Sequence, residues 1–381
     1  MSFADVILDQ GSEISSKLDM LRIDKFPPNA QKTLRQFSLA EVAEFVGVSQ
    51  SYLKKLHLQG KGVEPSVTPT GRRYYTASQI NELRSVLDRV PHRVGADKLQ
   101  VIAVVNFKGG SGKTTTAAHL AQYLALRGYR VLAVDLDPQA SLTALYGIQP
   151  ELDEKPSFYE TLRYDEDRRS IREIIQPTNF PNLDVVPANL ELQEYEYETP
   201  LAMQSKDSTA GKLFYTRIGD ALSEVDDRYD VVVVDCPPQL GYLTLTALTA
   251  ATSVLITVHP QMLDIMSMSQ FLLMLGNILK SIEAAGVKVS LDWFRYLITR
   301  YEPMDVPQQQ MVGFMQSMFA QQMMKNHMVK STAISDAGLT KQSLYEVERS
   351  QFTPATYDRA REALDLVNAE VIELMNEAWG R

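Results

Sequence analysis

A doubly wound, mostly parallel α/β sheet, preceded by smaller helical elements, is the fold that this 381-residue sequence predicts. Three observations carry the prediction. Val101-Ile102-Ala103-Val104-Val105, Val131-Leu132-Ala133-Val134, Val231-Val232-Val233-Val234 and Val254-Leu255-Ile256-Thr257-Val258 are short runs rich in β-branched residues and apolar throughout. Strands that are apolar on both faces suit a parallel sheet covered on both sides. The stretches between them, such as Ala117 to Leu126 and Met262 to Ile282, are long enough for crossover helices.

The composition, 45% hydrophobic and 22% charged, supports an ordinary globular core, and the length suits two or three domains. A lone cysteine, Cys236, excludes a disulfide framework and a cysteine-rich metal cluster on one chain. No basic start leads into an apolar stretch, and no run is read as reaching the roughly 18 apolar residues of a membrane span. A cytoplasmic protein with no membrane partner is expected. The net charge of −9 is uneven: residues 1–98 carry 14 Lys+Arg against 11 Asp+Glu, so the acidic excess lies downstream. An acidic total is compatible with a local basic surface that meets phosphates.

In chain order, residues 1–35 form an N-terminal helical segment. Phe3, Ile7, Ile14, Leu18 and Leu21 recur at helical spacing before Pro27-Pro28 ends the pattern. An isolated helix is marginal in water, so it packs either on its own chain or on a second copy, where it would serve dimerisation. Residues 36–90 read as a winged helix-turn-helix domain. Ser38 and Glu41 have capping-box spacing, Gly47 breaks the helix, and Gln50 to Leu58 forms a second one. Ser66-Val67-Thr68 and Tyr74-Tyr75-Thr76 flank a Pro69-Thr70-Gly71 turn, and Thr76 with Gln79 caps a third helix. Gln50, Ser51, Lys54 and Lys55 on the second helix, with Arg72 and Arg73 on the wing, are candidate DNA contacts. A plain helical scaffold with solvated basic residues would show the same pattern. Residues 91–98 read as a linker, and 99–381 as the α/β domain.

The sharpest signal is Asn106-Phe107-Lys108-Gly109-Gly110-Ser111-Gly112-Lys113-Thr114-Thr115, set between the first strand of that domain and a helix. Glycines there let backbone N–H groups close around phosphate oxygens, with the helix dipole behind them. Lys108 through Thr115 are therefore the expected nucleotide-binding residues. Lys113 would reach the β- and γ-phosphates, and the Thr114 hydroxyl would ligate Mg²⁺. Phe107 stands where the common phosphate loop has its first glycine, and Lys108 adds a second lysine.

This Lys-Gly-Gly-x-Gly-Lys-Thr form resembles the deviant Walker A motif of the ParA/MinD superfamily of P-loop ATPases. Asp135 and Asp137, in Val134-Asp135-Leu136-Asp137-Pro138, resemble its switch I. The run ending at Asp235, before Cys236-Pro237-Pro238, resembles Walker B. The resemblance implies an ATPase using ATP, ADP and Mg²⁺. Lys108 reaches across a nucleotide-sandwich homodimer, Asp137 orients the attacking water, Asp135 supports the metal and lysine network, and Asp235 holds Mg²⁺. Iron proteins of the superfamily need two cysteines per subunit. MinD-like members end in a basic amphipathic helix, whereas the apolar stripe of Val367 to Glu377 has an acidic polar face.

The helix-turn-helix ahead of the loop is the layout of long, type Ia ParA partition proteins. Val258-His259-Pro260-Gln261-Met262-Leu263-Asp264 and Val329-Lys330-Ser331-Thr332-Ala333-Ile334 also resemble that group, closest to the RepA proteins of repABC-type plasmid operons. This likeness implies nonspecific DNA binding in the ATP state, for which Lys330 and Lys341 are nominated, with Arg349 weaker. It also implies operator binding through the helix-turn-helix, and a ParB-type centromere-binding protein that stimulates slow hydrolysis. A positioning ATPase of the MinD kind, acting on a cargo other than DNA, is the alternative. Arg300, after Tyr296-Leu297-Ile298-Thr299, is left between a nucleotide role and a DNA role. Met311, Met315, Met318, Met323 and Met324 fall in Gln308 to Lys325, read as a helix whose methionines are packing filler.

Overall fold

The computed structural model describes residues 2–25, 32–149, 155–204, 213–284, 286 and 289–381. The chain divides into two compact units after Thr33. The first holds helix α1 (Phe3–Lys25), on which Phe3, Ile7 and Ile14 are exposed. Pro27 and Pro28 lie outside the described residues, as do the side chains of Leu18 and Leu21.

The second unit opens with β1 (Phe37–Ser38), α2 (Leu39–Val46), α3 (Gln50–Leu58), β2 (Ser66–Val67), β3 (Arg73–Tyr75) and α4 (Ala77–Val86). Reciprocal side-chain and backbone hydrogen bonds cap α2 through Ser38 and Glu41, and α4 through Thr76 and Gln79. Gly47 turns the chain between α2 and α3 at φ 72°, a left-handed conformation that costs glycine little. Ala43 of α2 and Leu53 of α3 are buried. β2 and β3 pair Ser66 with Tyr74 and Val67 with Arg73, forming the expected wing. β1 adds a third, antiparallel strand, pairing Phe37 with Tyr75. Two residues are too few to display alternation, so β1 left no trace in the sequence pattern.

The large sheet comes from β4 (Gln100–Val105), α5 (Lys113–Arg127), β5 (Val131–Asp135), α6 (Ser141–Leu145), β6 (Gln176–Pro177), β7 (Leu183–Val186) and α7 (Leu192–Gln204). It continues through β8 (Val231–Asp235), α8 (Tyr242–Ala250), β9 (Ser253–Val258), α9 (Met262–Ala284) and β10 (Trp293–Ile298). After these come α10 (Val306–Phe319), α11 (Thr332–Leu339) and α12 (Pro354–Ala378). The strand order is β10-β9-β4-β8-β5-β7-β6, parallel except for the β6–β7 pair. Successive residues face opposite sides of the sheet. Ile102, Val104, Val131 and Val233 pack with residues of α5 and α12. Val101, Ala103, Val105 and Val232 pack with residues of α8 and α9. Both faces are covered, as the uninterrupted apolar strands require.

Three expectations are revised. By length and composition α9 could cross a membrane, contrary to the reading that no run is long enough. Its inward residues Ile265, Met268, Phe271 and Leu275 nevertheless belong to the core. The methionine-rich helix ends at Phe319; Met323 instead bridges to Tyr296 beside β10, and Met315, Met323 and Met324 are buried. Residues 91–98 are a fastened strap. Buried Asp230 accepts hydrogen bonds from His92 Nδ1 at 3.1 Å, Arg93 N at 3.1 Å and Arg130 Nη2 at 2.7 Å. The acidic-faced tail stripe is also accounted for: Val367, Val371, Leu374 and Met375 are core residues of α12.

Arginines join the helix-turn-helix to the α/β domain. Buried Arg84 of α4 donates to Asn81 Oδ1 at 2.8 Å, to the Phe45 carbonyl at 3.2 Å and to the Leu126 carbonyl. Those carbonyls lie in the last turns of α2 and α5, so one cation serves the negative ends of two helix dipoles. Burial pushes its pKa down to about 9, which leaves it charged at neutral pH. Arg127 of α5 reaches the Glu44 carbonyl at 2.7 Å and its carboxylate at 2.9 Å. Arg84→Ala should lower stability by about 2–4 kcal/mol, because it strands two buried carbonyls. Urea unfolding should then split into separate transitions for the two domains; a single, unshifted transition would refute the role given to Arg84.

Candidate functional site

Three adjacent parallel strands, β10, β9 and β4, end around the glycine-rich loop. Buried Asn106, directly after β4, donates to the Thr257 carbonyl of β9 at 2.5 Å and accepts from Lys108 N at 2.9 Å. The Ser111 and Thr257 hydroxyls lie 3.0 Å apart. From the end of β10, the Thr299 hydroxyl donates to the Ser111 carbonyl at 2.7 Å, and Arg300 Nη1 donates to the Gly110 carbonyl at 3.1 Å. Gly110 and Gly112 take φ values of 76° and 86°, so the turn depends on glycine there. α5 starts at Lys113, aiming its free N–H groups at the loop.

Above the loop lies a cavity of about 450 Å³. Gly109, Gly110, Gly112, Lys113, Thr114, Thr115 and Asp137 line one part of it. Met328, Ile334, Ser331 and Lys330 line another. An apolar and polar mixture beside a phosphate loop suits the base and sugar of a nucleotide. Ser111 is buried beneath the loop as a support. Lys113 is buried, and its ammonium donates to the Lys108 carbonyl at 3.2 Å. Burial lowers its pKa, while Asp235 and Asp137 pull in the other direction.

The two lysines of the motif part company. Lys108 leaves the cavity and pairs at 2.6 Å with Asp264 on α9, with 44% of its side chain exposed. Asp264 itself is nearly buried, and the sequence pattern offered no reason to single it out.

The acidic residues also divide. Asp135 Oδ2 accepts from Thr143 N at 2.8 Å and the Thr143 hydroxyl at 2.7 Å, while Oδ1 accepts from Asp137 N at 3.1 Å. Burial raises its pKa to about 7 despite these bonds. Thr143, eight residues after Asp135, was missed because no short motif contains it. Asp137 is half-buried, and its Oδ1 accepts from Gln139 N at 3.0 Å. Both Asp235 oxygens are buried with no well-formed hydrogen bond. Burial and Asp135 push its pKa well up, although the Thr114 hydroxyl is near enough to favour the charged form. An orphaned carboxylate beside a threonine hydroxyl and a phosphate loop fits Mg²⁺. Among the described residues no three acidic, histidine or cysteine side chains form a metal cage, and Mg²⁺ needs none when phosphate and water complete its shell.

The second candidate surface lies on the helix-turn-helix. Gln50, Ser51, Lys54 and Lys55 are exposed on α3, together with Tyr52, which the sequence reading omitted. Lys54, Arg72 and Arg73 meet the start of α2 around a groove of about 290 Å³. Lys330 and Lys341 are not part of this surface. Lys330 lies at the nucleotide cavity and pairs with Glu302 at 2.9 Å. Lys341 is half-buried after α11, at φ 51°. Arg349 pairs with Asp358 at 2.6 Å.

Residues 99–286 match the model of a family described as an AAA domain, and residues 37–87 match the MerR HTH family of regulatory proteins. A putative replication protein A of Sinorhizobium fredii is 69% identical over 390 aligned positions, covering 100% of this chain and 96% of that protein. Protein SopA of Escherichia coli K12 is 30% identical over 299 positions, covering 77% of this chain and 76% of SopA. Among solved structures, cobyrinic acid a,c-diamide synthase from Mycobacterium smegmatis, with a bound ATP analogue and magnesium, is similar at a TM-score of 0.51. It is 27% identical and covers 63% of this chain and 94% of that one.

The raised carboxylates set a pH dependence. Asp135 holds its proton in the folded state up to about pH 7, whereas an unfolded aspartate releases it near pH 4. The folded state therefore binds more protons in that window, and nucleotide-free stability falls as pH rises through it. Asp235→Asn should flatten this slope and stabilise the metal-free protein at pH 8 by about 1–2 kcal/mol, while weakening Mg²⁺-dependent nucleotide binding. Denaturant titrations at pH 5 and pH 8 check both; an unchanged slope would contradict the assignment.

Proposed function

Because the chain belongs to the ParA-type family of plasmid partition ATPases, we propose that it segregates plasmid DNA through an ATP-controlled cycle of dimerisation and DNA binding. The reaction is ATP hydrolysis, with ATP or ADP and Mg²⁺ as its ligands. Lys113 and the N–H groups at the start of α5 hold the β- and γ-phosphates, and Asp137, at the cavity edge, orients the attacking water. Thr114 and Asp235 would hold Mg²⁺, with Asp135 behind them; the ion supplies positive charge to the leaving phosphate oxygens.

One observation carries the dimer reading: the Lys108 ammonium points out of its own cavity. It is held at the rim by Asp264, beside the exposed side chains of Met262, Leu263 and Met266 on α9. A cation placed there can serve the phosphates of a facing copy, and the apolar rim is the surface that the copy would cover. Residues 1–35 would add a second dimer contact through α1.

DNA enters at two places in this reading. In the ATP dimer, Lys330 and Lys341 contribute phosphate contacts without sequence preference. The location of Lys330 beside the cavity supports a link between occupancy and that surface. With ADP, α3 and the wing contact the operator through Gln50, Ser51, Lys54, Lys55, Arg72 and Arg73, and repress the protein's own operon. A ParB-type centromere-binding protein stimulates hydrolysis and releases the nucleoid DNA, all in the cytoplasm.

The test is binding to a random-sequence duplex with ATP–Mg²⁺, ADP–Mg²⁺ or no nucleotide. Wild type should bind only with ATP, with an affinity that falls steeply with salt. Lys113→Ala should abolish that binding, and Lys108→Ala should abolish it together with the ATP-dependent dimer seen by sedimentation. DNA affinity indifferent to nucleotide would sink the proposal in favour of a positioning ATPase with another cargo.

A further inference from the structure

The geometry points to Arg300 as a nucleotide-positioning residue: it holds the Gly110–Ser111 peptide of the phosphate loop in place and offers the rest of its guanidinium to the bound polyphosphate. This inference rests on the nucleotide site described above. Arg300 has φ 51°, a left-handed conformation that a residue with a long side chain rarely adopts. Such a conformation persists where its surroundings over-determine it, and here they do. On one side Thr299 N donates to the Val258 carbonyl at 2.9 Å, while its hydroxyl holds Ser111. On the other side Tyr301 N donates to the Met328 carbonyl at 3.0 Å, and Lys330 N donates to the Tyr301 carbonyl at 3.0 Å. Residues on both sides are anchored, so the backbone at Arg300 is held in the unfavourable turn.

That turn delivers the side chain to the loop. Nη1 reaches the Gly110 carbonyl at 3.1 Å, and the side chain lines the cavity together with Lys113 and Thr114. Fixing the Gly110 carbonyl fixes the peptide plane, and with it the direction in which Ser111 N–H points. Guanidinium has five N–H donors in a rigid fork, so one bond to Gly110 leaves others for ligand oxygens. Its charge is also uncommitted. Lys108 is paired with Asp264 and Lys330 with Glu302, but among the described residues no carboxylate forms an ion pair with Arg300. A DNA-contacting arginine would need neither the strained turn nor the bond to the loop.

The experiment compares Arg300→Ala, Arg300→Gly and Arg300→Lys with wild type. It measures ATP and ADP affinity with a fluorescent ADP analogue, steady-state ATPase kinetics and thermal melting. Loss of one charged contact should weaken both nucleotides by about tenfold in the alanine and glycine variants. KM should rise while kcat changes by less than about twofold, because the contact is made equally in the ground and transition states. The lysine variant should recover part of the affinity, and the glycine variant should melt no lower than wild type, since glycine relieves the backbone. Unchanged affinity in both truncated variants, or a loss confined to DNA binding, would overturn the inference. So would wild-type affinity in the glycine variant alone, which would assign the effect to backbone strain rather than to the guanidinium. Lys113→Ala separates the two levels of the claim: if it too binds nucleotide normally, the site itself is misplaced and not only Arg300.

Discussion

The hydrogen bond from Asn106 to the Thr257 carbonyl is the smallest unit on which the nucleotide site depends. It ties the first residue of the loop to the end of a neighbouring parallel strand, and the same asparagine turns back to hold Lys108 N. Ser111 repeats the arrangement one turn on, against the Thr257 hydroxyl and through Thr299 to the next strand. A glycine-rich segment loses more conformational freedom on ordering than any other, so an unanchored loop of this composition would not hold its N–H groups in one direction. The parallel sheet matters to function because it brings three strand ends to one place, where their side chains can brace the loop before any ligand arrives.

Bracing has an electrostatic counterpart. Asp135 and Asp235 are buried within one network with Lys113, and burial opposes the charged form of all three. Of the two carboxylates, Asp135 is compensated by hydrogen bonds from Thr143 and the Asp137 backbone. Asp235 lacks such partners, and in the proposed site a divalent cation would supply the missing one. Preorganised charge in a dry cleft stabilises phosphoryl transfer without reorganisation at the moment of reaction.

Much of this was legible in the residues. Apolar runs gave β4, β5, β8 and β9 within a residue or two of their ends, and the two capping boxes formed as spaced. The phosphate loop was readable because its chemistry is contiguous: backbone, lysine and threonine act within ten residues. What escaped lies far apart in sequence or has no periodic signature. β6 and β7 are too short for their pattern to stand out, and β1 is shorter still. Thr143, Asp264 and Arg84 each acquire a role only when a distant element comes beside them. Lys330 shows the same limit from the other side. A basic residue in a family-like stretch was nominated for DNA, and no local pattern could show that the fold also sets it at the rim of the nucleotide cavity.

Arg84 and the Asp230 strap make the helix-turn-helix and the α/β domain one body rather than two modules on a tether. A tethered reader tolerates many separations between the two halves of its recognition sequence, because the linker absorbs the difference. A rigid one does not. In any two-fold pair of such bodies, the distance and relative twist of the two α3 helices are set by the subunit interface alone. In the proposed operator complex, the number of base pairs between half-sites would act as a ruler for that interface. A nucleotide that alters the pairing of the ATPase domains would retune which spacing fits, with no change in any residue that touches a base.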